Sequence, residues 1–458
     1  MAKYGLIGDT LKHSQSAHLH SMIADYEYDL IEVANEDEIK NILSNEDYDG
    51  FNITSPYKDT VIKYLDNVSG PAKDANAVNI IKRMPDGKLH GFNTDIDGFE
   101  SIVTTRVQDR KCMIFGTGGG ARAAAVALER QGAKSIILVS RDPENAKKKL
   151  GKKYPIISYD SVVNYFDIQV LVNATPIGMM PNNGMSPMVN VMRSIRLFEN
   201  LELAVDLIYN PYRTKFLQDA RRITGCKTIC GLEMLIVQAI ETRNLWLSGK
   251  KDGALEKVQI EALKRDILTN QLNVVAVGMP GSGKTTILRR YAYEFGIKFI
   301  DTDKLTEELM GDTIENVLND ENRGEEYFRK MEHEAVKQAS QYTGAIIATG
   351  GGSILNPVNR DWLRSNGIVV YMRRPLDKLS TNGRPISQKV GVEELYDERD
   401  KIYKRMADLT VINDQTFGAK KAETGEGDSY YYEMKKFVYQ LNKRVKRYII
   451  EIACNKWT

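Results

Sequence analysis

The stretch NVVAVGMPGSGKTTILRR contains Gly278-x-x-x-x-Gly283-Lys284-Thr285, the spacing of a phosphate-binding P-loop between a β-like run and a helical one. Backbone N–H groups of such a loop cradle phosphates, so Gly278, Gly281, Ser282, Gly283, Lys284, Thr285 and Thr286 are candidate contacts to a nucleotide. Lys284 would neutralise the β and γ charges, and the Thr285 hydroxyl can ligate magnesium. Downstream, Asp301 and Asp303 stand two apart in FIDTD; in an extended segment they project to one side, one toward magnesium and one toward an acceptor hydroxyl. Arg329, Arg384 and Arg399 are widely separated and, taken singly, read as surface charges. Converging, they would suit an anionic acceptor and the transferring phosphoryl group.

A second glycine turn, GTGGGA, follows a strand-like run and opens an alanine-rich helical one. Glycine there lets the backbone approach a pyrophosphate, and the helix start supplies free N–H groups, which makes Gly116, Gly118, Gly119, Gly120 and Ala121 candidate cofactor contacts. A tight turn in any α/β protein is the plainer alternative. At the end of the next strand an acidic residue would bind the ribose hydroxyl of NAD, and an arginine the 2′-phosphate of NADP. The residues are Ser140-Arg141-Asp142: Arg141 argues for NADP(H), and Asp142 keeps NAD open. Four clusters of hydroxyl, amide and charged groups precede this turn: HSQSAHLHS, NITSPYK, AVN and FNTDIDG. Together they suit a polyhydroxylated acid, although each alone is more often a turn or a helix cap.

These groups need elements to position them, and 458 residues suffice for about three domains. The two glycine turns, each between a strand and a helix, imply two nucleotide-binding α/β units, with a smaller α/β unit in front for the substrate. The charged, glycine-flanked GKKDG at 249–253 and the polar helical stretch after it place a linker at 248–271. At the far end Met434, Val438, Leu441, Val445 and Ile449 recur at helical spacing among lysines and arginines, the pattern of a basic amphipathic helix packed on the preceding domain. Composition is that of an ordinary globular protein, with 42% hydrophobic and 27% charged residues. Lys plus Arg number 63 against 61 Asp plus Glu, so the balance asks for neither nucleic acid nor a membrane surface. Four cysteines without CxxC spacing read as reduced thiols, and the N-terminus lacks the pattern of a secretory signal, so a cytoplasmic location is expected.

Residues 1–247 resemble shikimate dehydrogenase. The resemblance is carried by Ser14-x-Ser16, Asn52 to Lys58, Ala77-Val78-Asn79 and Asn93-Thr94-Asp95, then by NATPIGM at 173–179, Asp206 to Pro211, and Gly231 to Ala239. It implies NADPH-dependent reduction of 3-dehydroshikimate to shikimate, with Lys58 and Asp95 as the catalytic pair. Ser14, Ser16, Thr54 and Tyr209 would hold the carboxylate; Asn79, Asp95 and Gln238 would read ring hydroxyls; Thr175 and Met234 would join the cofactor contacts. Physically, hydride arriving at a carbonyl carbon creates an alkoxide that needs a proton donor beside it. The chain departs from the family at Ala17, where proline is usual, and at Ser140-Arg141-Asp142, where Asn-Arg-Thr is usual.

Residues 272–415 resemble shikimate kinase, through the P-loop, FIDTD, FRKME, ATGGGSIL, GRPIS and ERDKIY in that order. The resemblance implies transfer of phosphoryl from ATP, with Mg²⁺, to the shikimate 3-hydroxyl. Asp303, Arg329, Gly350, Gly351, Gly352 and Arg399 would bind shikimate, Asp303 could accept the hydroxyl proton, Thr285 and Asp301 would serve magnesium, and Lys284 and a lid residue, Arg384, would reach the phosphates. The segment RRPLDKLSTNG before Arg384 is shorter than the family's usual approach to the lid.

The expected architecture is therefore a two-domain α/β dehydrogenase followed by a P-loop α/β kinase. Residues 1–100, completed by 230–247, form the substrate domain; residues 101–230 form a Rossmann domain; residues 272–458 form the kinase with its basic helix. The implied function is a bifunctional enzyme on the route to chorismate and the aromatic amino acids, its partners small molecules and its oligomeric state open. Two alternatives are a quinate/shikimate dehydrogenase fused to a kinase, and a nucleotide- and shikimate-binding regulatory protein with one inactive half.

Overall fold

The apolar runs and glycine turns fold into three α/β layers, seen in a computed structural model that describes residues 1–11, 14–151, 153–188, 198–247, 253–379, 385–414 and 427–454. The first sheet comprises β1 (Lys3–Gly8), β2 (Glu27–Glu32), β3 (Gly50–Ile53), β4 (Asn67–Val68), β5 (Ile80–Arg83) and β6 (Leu89–Phe92), in the order β2-β1-β3-β5-β6-β4. Strand β3 runs parallel to β1 and antiparallel to β5. This pairing brings the loop after Ile53 beside Asn79, because Ile53 N–H donates to Asn79 O at 2.8 Å.

The second sheet holds β7 (Lys111–Phe115), β8 (Ser135–Ser140), β9 (Ile156–Ser158), β10 (Val170–Asn173), β11 (Leu203–Asp206) and β12 (Lys227–Ile229), all parallel, in the order β12-β11-β10-β7-β8-β9. That is the doubly wound order of a Rossmann fold, whose ligand crevice opens where the order reverses, between β7 and β10. The turn after β7 lies there. Its helix, Gly119–Arg130, buries Ala121, Ala123, Ala124, Ala125 and Ala127; small side chains let it sit close to the sheet, and alanine is the best helix former.

The third sheet contains β13 (Asn273–Val277), β14 (Phe299–Asp301), β15 (Ile346–Ala348), β16 (Gly367–Arg373) and β17 (Leu409–Ile412), in the order β14-β15-β13-β16-β17, again parallel. Central β13 is buried throughout and leads into the P-loop.

The expected linker needs correction. Residues 253–271 form a helix, Gly253–Gln271, and bury Leu263, Ile267 and Leu268 in a core shared with Leu19, Ile236 and Ile240 on one side and Val274, Leu288 and Val445 on the other. A polar average concealed an apolar stripe, and each aliphatic side chain so buried contributes about 1.5–3 kcal/mol. Residues 248–252 lie outside the described residues. The terminal helix, Gly427–Ala453, buries Met434, Val438, Leu441, Val445 and Ile449, with Lys436, Lys443, Arg444, Lys446 and Arg447 exposed.

Polar contacts also lock the halves. Arg213 donates to Asp408 Oδ1 at 3.1 Å and to Gly367 O at 2.9 Å, and Tyr448 donates to the same Asp408 oxygen at 2.8 Å. Gln271 donates to Tyr209 O at 2.8 Å, and Trp362 lies against Gly184. No helix among the described residues is long and apolar enough to cross a membrane.

Candidate active sites

The first site is built at the end of β3 and the start of the helix Asp95–Val103. Lys58 Nζ donates to Asp95 Oδ2 at 2.6 Å, with the side chains 16% and 9% exposed. The other carboxylate oxygen accepts from Asn79 Nδ2 at 3.0 Å, and the same amide lies 3.5 Å from Gln238 Oε1. Asn93 joins two of the motifs by donating to Ala77 O at 2.8 Å and accepting from the Asp95 N–H at 3.1 Å. One buried cation thus faces one anion, and the amides fill the remaining valences, so the group keeps its geometry before substrate arrives. Lys58, Asn79, Asp95 and Gln238 come together as expected although they lie on four separate segments.

Nearby, Ser16 N–H donates to Ser14 Oγ at 3.2 Å, and the Tyr209 phenol approaches the Gln15 backbone. Ser14, Ser16 and Tyr209 therefore border one corner, and Thr54 packs over Gly8 on the adjoining strand end. Asn52, which opens the NITSPYK motif, is turned away: it is buried and accepts from Tyr28 OH at 2.7 Å, a structural role.

The nucleotide turn faces this pair directly. A Cβ at Gly119 would come within 3.0 Å of Lys58 Cδ, so glycine lets the lysine stem cross the turn at this distance without displacement. The helix behind it starts at Gly118 without a side-chain cap, which leaves its first N–H groups for an anion. Arg122 Nη2 lies 3.6 Å from Asp59 Oδ2 and adds a tie across the cleft. Ser140 Oγ accepts from Asp142 N–H at 3.1 Å, and the Asp142 carboxylate caps the next helix by accepting from Asn145 N–H at 3.0 Å, with Arg141 exposed beside them. Thr175 donates to Asn173 Oδ1 at 2.7 Å, and Asn173 donates to Asp206 at 3.1 Å. Burial pushes the Asp206 carboxyl up to about 7 in spite of hydrogen bonds from Thr214, Ile208 and Asn173. Met234 is buried on the helix Leu232–Leu247, against Gly98.

In the third layer, Gly283 takes φ +91° and opens the helix Lys284–Phe295, again without a side-chain cap. Lys284 Nζ folds over the loop and donates to Gly278 O at 2.8 Å and Met279 O at 3.0 Å. Ser282 is buried in the loop beside Gly281, and Thr285 and Thr286 lie in the first turn of the helix. Asp301 and Asp303 do not share the extended segment expected of them: Asp301 ends β14, caps the helix Thr302–Met310 and accepts from Asp303 N–H at 3.1 Å, and Asp303 is already helical.

The triplet Gly350-Gly351-Gly352 forms a floor on which the expected acceptor residues meet. Added Cβ atoms would lie 2.4 Å from Asp303 Oδ1 at Gly350, 2.7 Å from Pro280 at Gly351 and 2.4 Å from Arg329 Nη1 at Gly352. Burial, then the charges of Asp301 and Glu332, push the Asp303 carboxyl up to about 7, with Lys284 opposing. Arg399 is buried, pairs with Glu398 at 3.0 Å and lies beside the Tyr403 hydroxyl. Arg384 lies outside the described residues.

Four residues without an assigned role complete these sites. Glu332 accepts from Arg329 Nη1 and from Ser353 Oγ, at 2.8 and 2.9 Å. Tyr403 donates to Gly351 O. Both were traceable, being three and four helical positions from Arg329 and Arg399. Arg122 and Asn173 carried no sequence signal beyond their place beside a glycine turn and within NATPIGM.

Both halves of the chain are similar to known proteins. Residues 6–81 match the shikimate dehydrogenase substrate binding domain, and residues 280–424 match the shikimate kinase family. The shikimate dehydrogenase (NADP(+)) of Clostridium perfringens is 37% identical over 276 residues, covering 58% of this chain and 99% of the relative. That of Caldicellulosiruptor bescii is 35% identical over 265 residues, 54% of this chain and 89% of the relative. Among solved structures, shikimate dehydrogenase 1 from Peptoclostridium difficile is 33% identical with a TM-score of 0.51, covering 56% of this chain and 96% of its own. A chorismate mutase/shikimate 5-dehydrogenase fusion protein from Clostridium acetobutylicum is 35% identical with a TM-score of 0.51, covering 58% and 98%. The chain thus belongs, through its N-terminal half, to the shikimate dehydrogenase family, and with the shikimate kinase domain behind it is a bifunctional enzyme of the shikimate pathway.

Proposed function

We propose that the N-terminal half reduces 3-dehydroshikimate to shikimate with NADPH and that the C-terminal half phosphorylates the shikimate 3-hydroxyl with ATP and Mg²⁺. The observation that carries the reading is the Lys58–Asp95 ion pair at 2.6 Å, its lysine stem lying on Gly119 of the nucleotide turn. A proton donor lying against the nucleotide turn supports a reading in which substrate and nicotinamide meet beside Lys58. Bound NADPH supplies the hydride. Lys58 gives its proton to the carbonyl oxygen as the carbon is reduced, and Asp95 keeps the ammonium in place and reads a ring hydroxyl. Ser14, Ser16, Thr54 and Tyr209 hold the substrate carboxylate, and Asn79 and Gln238 the remaining hydroxyls. Arg141 favours NADPH over NADH because the neighbouring Asp142 carboxylate is occupied as a helix cap.

In the kinase, the uncapped helix start and the Lys284 ammonium fit a phosphate chain. The Thr285 hydroxyl and the Asp301 carboxylate are hard oxygen donors that suit Mg²⁺, which would bring charge neutralisation to the phosphates. Asp303 takes the proton of the attacking 3-hydroxyl; a carboxyl pushed up to about 7 is suited to that exchange near neutral pH. Arg329 and Arg399 hold the acceptor over the glycine floor, and Arg384 is assigned to the phosphates. Nicotinamide absorbance with shikimate, followed by ATP consumption, tests both halves; ligand binding without turnover in either would refute the reading.

A further inference from the structure

Where the two enzymes meet, the helices Lys215–Thr224 and Pro357–Ser365 and the terminal helix border a cavity of about 910 Å³. It holds none of the catalytic pair and none of the P-loop. Its walls carry Arg106, Arg213, Arg221, Arg222, Lys264 and Arg364. Three of these cations are met by acids: Arg213 by Asp408 at 3.1 Å, Arg222 by Asp219 and by Asp361 at 3.5 Å, and Lys264 by Glu233 at 2.7 Å. The guanidinium groups of Arg106, Arg221 and Arg364 make no hydrogen bond or ion pair among the described residues, and Arg364 Nε is buried with no partner. Glu451, another acid on the wall, lies 3.3 Å from Arg447.

A buried donor without an acceptor costs about 1–3 kcal/mol, and converging guanidinium groups repel one another. Burial, then the charge of Arg213, hold Arg364 below the usual arginine range; Asp408 and Asp361 oppose the fall and Arg221 adds to it. A multiply charged oxyanion relieves both conditions, and phosphate matches the fork of an arginine. The volume exceeds that of an inorganic ion and falls within the range of small-molecule pockets, while Leu217, Ile229, Leu232 and Leu409 give it apolar wall for a carbon skeleton.

We propose that this seam cavity is a binding site for a phosphate monoester with a small organic body, separate from both active sites and formed only when the two enzymes are docked. The test is calorimetric titration of the full chain at constant ionic strength, with NADP⁺ and Mg·ADP saturating, using glycerol 3-phosphate and inorganic phosphate as probes. One additional site per chain is expected, with the ester bound more tightly than inorganic phosphate. Its Kd should rise about tenfold or more in R364Q and in R221Q, as expected for loss of a charge-assisted hydrogen bond, and less in R106Q, whose exposed residue leaves folding undisturbed. Turnover of both enzymes without the probe should be unchanged in all three. Absence of binding by either probe, or equal affinity in the parent and all three variants, would overturn the site; tighter binding of inorganic phosphate than of the ester would overturn its assignment to a monoester.

Discussion

Replacing Asp303 by asparagine should make the ligand-free protein more stable while disabling its kinase. Asp303 is packed between the glycine floor, Asp301 and Glu332, and its carboxyl is pushed from 3.8 up to about 7. The unfolded chain releases this proton near 3.8, whereas the folded chain holds it until about 7. Between those values the folded state binds the extra proton, so stability falls as pH rises, and the loss is complete above the upper value. At about 1.4 kcal/mol per pH unit the full penalty has a ceiling of about 4 kcal/mol, and roughly 2 kcal/mol of it accrues between pH 5.5 and the upper value. The D303N variant escapes this penalty. Its gain in unfolding free energy, measured by urea denaturation without ligands, should exceed the gain at pH 5.5 by about 2 kcal/mol when measured at pH 8.5. Kinase turnover should fall about 10²–10⁴-fold, the range of a positioned acid or base, with dehydrogenase turnover unchanged. An equal gain at the two pH values, or a loss at the higher one, would refute the link between burial, charge crowding and proton affinity.

In the parent enzyme, kinase kcat should rise with pH through about 7 as Asp303 loses its proton, a profile read directly from initial rates. K58A should lower dehydrogenase kcat about 10²–10⁴-fold in the nicotinamide absorbance assay and leave kinase rates intact. R141Q should raise KM for NADPH about tenfold or more, as loss of a charge-assisted contact to the 2′-phosphate demands, with little change for NADH. R213M, which strips Asp408 of its arginine at the seam, should cost about 3–5 kcal/mol in urea denaturation; D408N with R213M should recover part of that loss, since the uncompensated charge is then gone.

Much of this protein was legible in its residues for a definite reason. A P-loop and a Rossmann turn are local: backbone must approach phosphate, so glycines, a lysine and a hydroxyl recur at short spacing between a strand and a helix. Lys58, Asn79, Asp95 and Gln238 are not local, and only the resemblance of their motifs to a family grouped them before β3, β5 and the helix Leu232–Leu247 brought them together. What escaped depends on tertiary context. The stripe Leu263, Ile267, Leu268 looked polar on average because half of its helix faces solvent, and its burial requires both enzymes to be present. Asp303 looked like a second extended carboxylate because nothing in FIDTD marks Thr302 as the first helical residue rather than a continuation of the strand. Arg213, Arg364 and Asp408 are unremarkable singly; their role at the seam arises from chain segments far apart in sequence.

One chain is expected to carry out two consecutive reactions on the same carbon skeleton. The purified protein of 458 residues should be given 3-dehydroshikimate, NADPH, ATP and Mg²⁺, and its products followed by mass spectrometry. Shikimate 3-phosphate should accumulate with one NADPH and one ATP consumed per product; K58A should leave 3-dehydroshikimate unreduced, and K284A should stop at shikimate. Phosphorylated product from K284A at the parent rate, or no shikimate 3-phosphate from the parent enzyme, would show that the two reactions are not carried by these two sites.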